Sequence, residues 1–520
     1  MALHQTGKPD QAEPLYRNIL AMDAQQPDAW HLLGVLAWNR GDLVQGEEYV
    51  RKAIGLHNKT AAMFSNLGGI LKQKGAKEEA AKAYRTALQR DANDAAALYG
   101  LGEVLVSQKE YAEAEPLLAR ALKKIPQNAD LWNQYGLSLS EQGKLDEAKK
   151  AYQQALQFAP GHVVARRNLA EIIRAEGDYI GARRLYNEAL VLRPDYAQAR
   201  YDRGILDLTE GRFAEAWKNL EIVAPDWLPG MDGRRPLPWL SVPLWNGSSL
   251  RGRRILIWGD QGIGDELLFA SMIPDLLAQG AEVVLECTDR LVPLFQRSFP
   301  QASVIARTPI ADARMAGGIS CQSPGMYLGC WLRRSSSAFP QKSFLTPDPE
   351  RKSLLQARYR QFGRKRFIGI SWLSRGKTLG AYRSMALRDL VAAIPHKDAV
   401  LIDLQYGDTA AEWAEIRSEF PDLLVHRDDD IDQLHDFDAF TAQVAACDAV
   451  VTIGNTTAHV AGALGMPGCV LLPRGIGLTW YWQASGAETP WYPSLQLLRP
   501  SADGSRAAAL TAIWNFVERL

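Results

Sequence analysis

Cysteine is scarce in this chain. Five occur in 520 residues, Cys287, Cys321, Cys330, Cys447 and Cys469, and no two form a CxxC pair. An odd, scattered set argues against a disulfide framework or a zinc site and fits a reducing compartment. An excess of charge of one sign is also lacking. Lys plus Arg and Asp plus Glu each number 59, for a formal net charge of +0. That removes the electrostatic case for a nucleic-acid partner. Two basic runs, RGRR from Arg251 and RKR from Arg364, flank apolar runs and read as solvated strand ends. No apolar run approaches the ~18 residues of a membrane span. The opening MALHQTGKPD is polar and has no apolar signal core. The expected compartment is the cytoplasm.

What the chain has instead is a 34-residue period. Gly34, Gly68, Gly102, Gly136 and Gly204 fall on it, with Ala170 on the remaining rung. A second ladder runs Ala12, Gly46, Ala80, Ala114, Ala148, Ala182, Ala216. A third carries bulky partners: Tyr16, Val50, Tyr84, Leu118, Tyr152, Tyr186, Leu220. Pro126, Pro160 and Pro194 close three of the repeats. Small residues where paired helices touch, with Pro at the turn, resemble the tetratricopeptide (TPR) pattern. The phase puts first helices near Ala29, Ala61, Ala95, Ala129, Val163 and Ala197. Each repeat buries its apolar face only by stacking on the next, and the stack presents a concave groove to a protein partner. His31, Ser65, Tyr99, Asn133 and Arg167 share one repeat position and are the candidate groove lining.

The array covers residues 1–225. Residues 226–249 are rich in Pro, Gly and Trp, have no period, and read as an extended connector. Strand–helix alternation then begins. RRILIWG and AEVVLEC read as strands in residues 250–349; RFIGISW, AVLIDLQYG, DAVVTIG and CVLLP read as strands in residues 350–520. The stretch Ala311 to Arg334 reads as irregular. Such alternation implies parallel sheets, and two blocks imply two Rossmann-like halves facing across a cleft.

Three loops follow strands and could carry chemistry. In GDQGIGDELLFA, Gly262 and Gly264 let backbone amides approach a ligand, and a helix starts at about Asp265. Asp265 suits either a helix N-cap or a functional carboxylate. The loop has neither the GxGxxG of dinucleotide folds nor the GK[ST] of a P-loop. In TIGNTTAHVAGALG, the donors Asn455, Thr456 and Thr457 sit off a strand's carboxyl end, with His459 in the first turns of the helix. In SWLSRGKTLGAYRS, Arg375, Lys377 and Arg383 crowd one loop. They could meet a diphosphate or simply be solvated. Asp436-Phe-Asp438 resembles a metal-binding DxD but precedes a helix and reads as its cap.

Taken together, GDELLFA, GISWLSRGK, LIDLQYG and TTAHVAGALGMPGCVLLP followed by PWYPSLQLLRP resemble glycosyltransferase family 9, the heptosyltransferase-like group. The similarity extends to bacterial proteins that join TPR repeats to such a domain, some of them flagellin glycosyltransferases. The resemblance implies a GT-B fold after the solenoid and an inverting transfer from a nucleotide-sugar. It places the base at Asp265, a donor-phosphate contact at Lys377 and the phosphate-facing turn at Asn455, Thr456 and Thr457, with His459 behind them; Gly262, Gly264 and Arg375, from the loops themselves, complete the candidate donor-binding set. No metal or cofactor is required if cations and amides hold the phosphates. The implied acceptor is a Ser or Thr hydroxyl of a protein held by the array, flagellin first. A lipid or glycan acceptor, or a decayed TPR adaptor, are the alternatives. The chain departs from the family at Gly454, where many members carry Asp.

Overall fold

A computed structural model describes residues 9–227, 242–259, 262–307, 318–339, 341–376 and 379–520. The chain divides into two compact units, Met1–Ile172 with Arg184–Pro194, and Ile173–Arg183 with Asp195–Leu520.

The first unit is a helical solenoid, and its ladders explain its packing. First helices begin at Pro27, Ala61, Ala95, Ala129 and Val163, close to the phase set by the glycines. Each ladder glycine faces the bulky residue 16 positions on. A Cβ on Gly68 would stand 2.7 Å from the Tyr84 ring, and one on Gly136 would stand 2.7 Å from Tyr152. The helix pairs at these glycines therefore approach too closely for a larger residue, and only the small methyl of Ala170 takes the rung's remaining place. The tyrosines fill the interhelix space as fully buried rings. Asp94 and Asn128 cap successive first helices by accepting from Ala97 N and Leu131 N.

The second unit contains the last repeat, α1 (Ala197–Thr209) and α2 (Phe213–Trp227), and the α/β body. This differs from a domain boundary at residue 225. Trp217 on α2 is 1% exposed, donates Nε1–H to Arg333 O at 2.8 Å, and lies against the bare Cα of Gly329. Tyr327 Oη donates to Glu221 O at 2.7 Å, and Ala484 N donates to Thr209 O at 2.7 Å. Leu208, Phe213, Ala216, Trp217 and Leu220 share one continuous core with the α/β body. Most of the expected connector, residues 228–241, lies outside the described residues.

Two parallel sheets follow. The first holds β1 (Arg254–Trp258), β2 (Glu282–Cys287), β3 (Ser303–Ala306) and β4 (Ile319–Pro324), with α3 (Ile263–Ala270) leaving the end of β1. After α4 (Pro349–Arg360), the second holds β5 (Arg366–Ser371), β6 (Ala399–Asp403), β7 (Leu424–His426), β8 (Ala449–Ile453), β9 (Gly468–Leu471) and β10 (Leu495–Leu498). The strand orders are β3-β2-β1-β4 and β10-β9-β8-β5-β6-β7. The second is the full doubly wound order, with its reversal between β5 and β8. Ligands of such sheets bind outside the strand carboxyl ends at that reversal.

Four of these strands were not legible. β3, β7 and β10 have three or four residues each and lack the unbroken run of four apolar residues that marks the equally short β9. β4 lies inside the stretch expected to be irregular. Its polar ISCQSP sequence pairs alongside β1, and its Gln322 also exchanges backbone bonds with residues 243 and 245. Helix α5 (Phe437–Ala446) is capped by Asp436, which accepts from Ala439 N at 2.9 Å. Asp438 pairs with Arg297 at 2.6 Å. The DxD-like pair is thus taken up by a cap and an ion pair. Helix α6 (Thr456–Ala463) follows β8. Among the described residues no helix is long and apolar enough to cross a membrane.

Candidate functional site

The β5/β8 reversal is built from polar side chains that fix each other. Asn455, the N-cap of α6, accepts from Thr452 Oγ1 at 3.1 Å and from Ala458 N. Its Nδ2 donates to Ser371 Oγ at 2.8 Å, joining the ends of β8 and β5. Ser371 Oγ donates to Gln405 Oε1 at 3.1 Å, and the same oxygen accepts from Leu373 N at 2.8 Å. Gln405 N in turn donates to Asp403, whose other oxygen accepts from Thr409 Oγ1 and Trp413 Nε1 at 2.6 and 2.8 Å. Leaving any of these buried polar groups without its partner would cost free energy, so this chain of bonds holds the strand ends in one arrangement. Asn455 therefore shapes the turn with its side chain. Thr456 and Thr457 begin α6, where helix amides have no intrahelical acceptor and favour an anion.

Asp265 lies in the first turn of α3 and is partly exposed. It accepts from Gly262 N at 3.3 Å, so it also acts on the helix start. Its neighbour Glu266 is buried and fully bonded, to Thr288 N and Oγ1 at 2.8 Å each and to Arg307 at 2.7 Å. Arg307 also approaches Glu286 and lies against Gly259. This clamp holds the first turn of α3 to the ends of β2 and β3.

The two turns meet at His459. A Cβ on Gly264 would stand 2.9 Å from His459 Cδ2 and 3.1 Å from Nε2. The ring is 2% exposed, bonds Tyr492 Oη through Nδ1 at 2.9 Å, and contacts Tyr481 and Trp482. The expectation that His459 binds the donor is corrected here, because its ring is enclosed by the packing that joins α6 to α3. Asp265 lies close enough to Tyr481 and Tyr492 to help hold both phenols above their ordinary range, burial being the larger cause.

Burial, with Arg383 as the lesser cause, lowers the His459 pKa from 6.5 to about 3. The unfolded chain takes up this proton as pH falls through roughly 6.5, while the folded chain does not until about 3. The stability from the neutral ring is therefore complete above pH 6.5. It declines by about 1.4 kcal/mol per pH unit below that. We expect His459→Gln to flatten the urea-midpoint profile between pH 6.5 and 4. An unchanged slope would remove His459 as its source.

The other expected residues fall as follows. Arg375 is exposed, with its guanidinium over the Tyr406 ring at 5.5 Å and against Gly407 Cα. Lys377 lies outside the described residues. Arg383 is held by Gly477 O, which accepts from its Nε at 2.8 Å. Gly262 is the N-cap of α3, and among the described residues a Cβ there would meet Asp265 alone within 4 Å, at 3.7 Å. In the solenoid, Ser65 and Asn133 are corrected as groove residues. Both are buried, Ser65 donating to Asp94 at 3.0 Å and Asn133 accepting from Asn168 at 2.9 Å. Their repeat position forms an inter-repeat seam. His31, which bonds Asn66 at 2.8 Å, Tyr99 and Arg167 keep partial exposure.

Sequence reasoning passed over Ser371, Gln405, Glu266, Arg307 and Tyr492. Ser371 ends β5 and Gln405 lies just past β6, each directly before an aromatic residue, and both look like ordinary strand-end polarity. The others need the fold to bring their partners together. At Gly454, a Cβ would lie 3.0 Å from Trp482 Nε1 and from Leu472, so the indole fills the side-chain space.

Residues 1–61, 68–129 and 174–218 match one tetratricopeptide-repeat model, and residues 129–162 match a second. TPR repeats thus run through the N-terminal part of the chain. Protein FlbA of Caulobacter vibrioides is 31% identical over 319 residues, covering 57% of this chain and 51% of that protein. The chain therefore spans about half the length of this curated relative. Solved TPR structures are also similar. YrrB, a TPR protein with an unusual peptide-binding site, is 22% identical with a TM-score of 0.33, covering 36% of this chain and 97% of its own. PilF of Pseudomonas aeruginosa is 23% identical with a TM-score of 0.35, covering 39% and 93%.

Proposed function

We propose that the α/β body is a GT-B-type, inverting glycosyltransferase whose protein acceptor is chosen by the TPR array. One observation carries the reading most. The turn bearing Asp265 and the first turn of α6 are packed together through Gly264 and His459. A carboxylate and a phosphate-favouring helix start thus share one neighbourhood, off the ends of two doubly wound sheets. The nucleotide-sugar would lie on the second sheet at the β5/β8 reversal, its phosphates against the Thr456 and Thr457 amides. Arg375, Arg383 and Lys377 would supply positive charge as the leaving group departs. Asp265 would take the proton of a Ser or Thr hydroxyl as it attacks the anomeric carbon from the opposite face. Resemblance to TPR-linked transferases makes flagellin the first acceptor to test.

The test is intact-mass measurement of a co-expressed flagellin, with and without this protein. A shift by whole sugar residues is expected. A chain lacking residues 1–162 should leave the flagellin mass unshifted while still binding a nucleoside diphosphate in calorimetry. Full modification by that shortened chain would overturn recruitment by the array. A second reading, a TPR adaptor without transfer activity, is favoured by Gly454, where the Trp482 indole fills the space of the family's Asp. Absence of nucleoside-diphosphate binding in the intact protein would select it.

A further inference from the structure

Nothing in the structure shows what covers the exposed apolar stripe of Leu15, Ile19 and Met22 on the helix Pro9–Met22. The open hollow at the amino ends of β1–β3 faces away from the strand ends where a doubly wound sheet binds its ligand. The enclosed histidine carries more. His459 lies on the fourth residue of α6, one turn beyond the Thr456 amide, and its far ring edge touches the residue that precedes Asp265. Its orientation is fixed on every side. Tyr492 presses against the bare Cα of Gly462, one turn further along α6, and its hydroxyl bonds His459 Nδ1 at 2.9 Å. Tyr481 stands edge-on at 4.9 Å between ring centroids, and Trp482 lies tilted against the ring at 5.2 Å. Glu266 meanwhile anchors the same turn of α3 from within the first sheet.

We propose that His459 and Tyr492 are positioning residues. Together they form a strut that sets the separation between Asp265 and the phosphate-facing turn of α6. This rests on the transferase reading above and adds to it the element that sets the geometry of the reacting groups. Geometry of this kind acts on the chemical step more than on binding, because a base displaced by about 1 Å loses about a hundredfold in rate while the phosphate site is untouched. Two glycines serve the strut: Gly264 leaves room for the ring edge, and Gly462 leaves room for Tyr492.

The experiment compares the full-length protein with Tyr492→Phe, which removes one oxygen and keeps the ring, and with His459→Phe. The probe is the sugar nucleotide that the unaltered protein turns over in a panel of UDP-, GDP-, ADP- and CMP-sugars. Expected is a ten- to hundredfold fall in kcat for both variants, with the Kd of the matching nucleoside diphosphate changed by less than threefold. A fall in affinity equal to the fall in kcat would make His459 a ligand and overturn the strut. An unchanged kcat in both variants would do the same. In parallel, Gly264→Ala should lower Tm in the unaltered background and leave it unchanged in His459→Ala, where the added methyl enters vacated space. Equal effects in the two backgrounds would overturn the contact itself, whatever the activity. If the intact protein binds no nucleoside diphosphate, and Asp265→Asn equals it in every assay, the transferase reading fails and the positioning role falls with it. If binding and the Asp265 effect are present and only the strut variants are silent, this inference alone fails.

Discussion

Asp265→Asn is expected to lower sugar transfer by about two to four orders of magnitude, the usual contribution of a positioned general base. The substitution keeps shape and volume. The amide oxygen of Asn still accepts from Gly262 N, as the carboxylate does at 3.3 Å, so the start of α3 is preserved. Glu266 still ties that turn to Thr288 and Arg307. The elements proposed to face the phosphates, α6 and its Asn455 cap, are on the other sheet and keep their bonds to Ser371 and Thr452. What the variant would lose, on the proposed reading, is the ability to take a proton from the acceptor hydroxyl. The expected signature is therefore an unchanged melting temperature, an unchanged Kd for the nucleoside diphosphate, and transfer near background in the intact-mass assay. Transfer at the unaltered rate would remove Asp265 from the mechanism.

A chain that begins at residue 226 is expected not to fold, whereas one that begins at Val163 should melt as the intact α/β body does. The sequence places a boundary at residue 225 because the 34-residue ladder stops at Leu220. The structure places α1 and α2 inside the second unit. Cutting at 226 uncovers the face filled by Phe213, Trp217 and Leu220, and it removes the partners of Arg333 O and Tyr327 Oη. Truncating a single buried Trp costs about 3–5 kcal/mol. Losing two packed helices approaches the whole stability of a domain, roughly 5–15 kcal/mol. Trp217→Ala in the full chain is the graded version and should lower the melting temperature by several degrees. Circular dichroism melts and limited proteolysis read both comparisons. Equal melting of the two truncated chains would show that the last repeat is dispensable to the body.

Much of this architecture is legible because it is local. The solenoid follows from Gly34, Gly68, Gly102 and Gly136. A residue with no Cβ is needed where Val50, Tyr84, Leu118 and Tyr152 press between helices, and a small residue recurs there once per repeat, Ala170 among them. The longer strands were legible because β1, β5, β6 and β8 are runs of apolar residues, buried in the sheets and followed by loops. β3, β7 and β10 were not, since each is three or four residues long and lacks the unbroken run of four apolar residues that marks the equally short β9.

The site divides the same way. The Asp265 turn and the Asn455–Thr457 turn stand out in the sequence because each follows a strand and starts a helix. Their meeting does not stand out, because it depends on Gly264 facing a histidine 195 positions away. The role of His459 changed for that reason. A histidine early in a helix beside Thr456 and Thr457 reads as a ligand until Tyr492 and Gly264 are found around it. Ser65 and Asn133 changed likewise, because a repeat position fixes a place on a helix, whereas only stacking shows whether the next repeat covers it.

By itself, then, the sequence determined the elements whose cause lies within a few turns of chain: the repeat, the parallel strands, the helix starts and the glycines of the ladder. Tertiary structure alone decided which turns come together, which polar residues are used up inside, and where the array ends and the α/β body begins. The physical reason is range. Steric and capping preferences act between neighbours in sequence, whereas the burial of Trp217, His459 and Glu266 depends on surfaces brought together only when the whole second unit has folded.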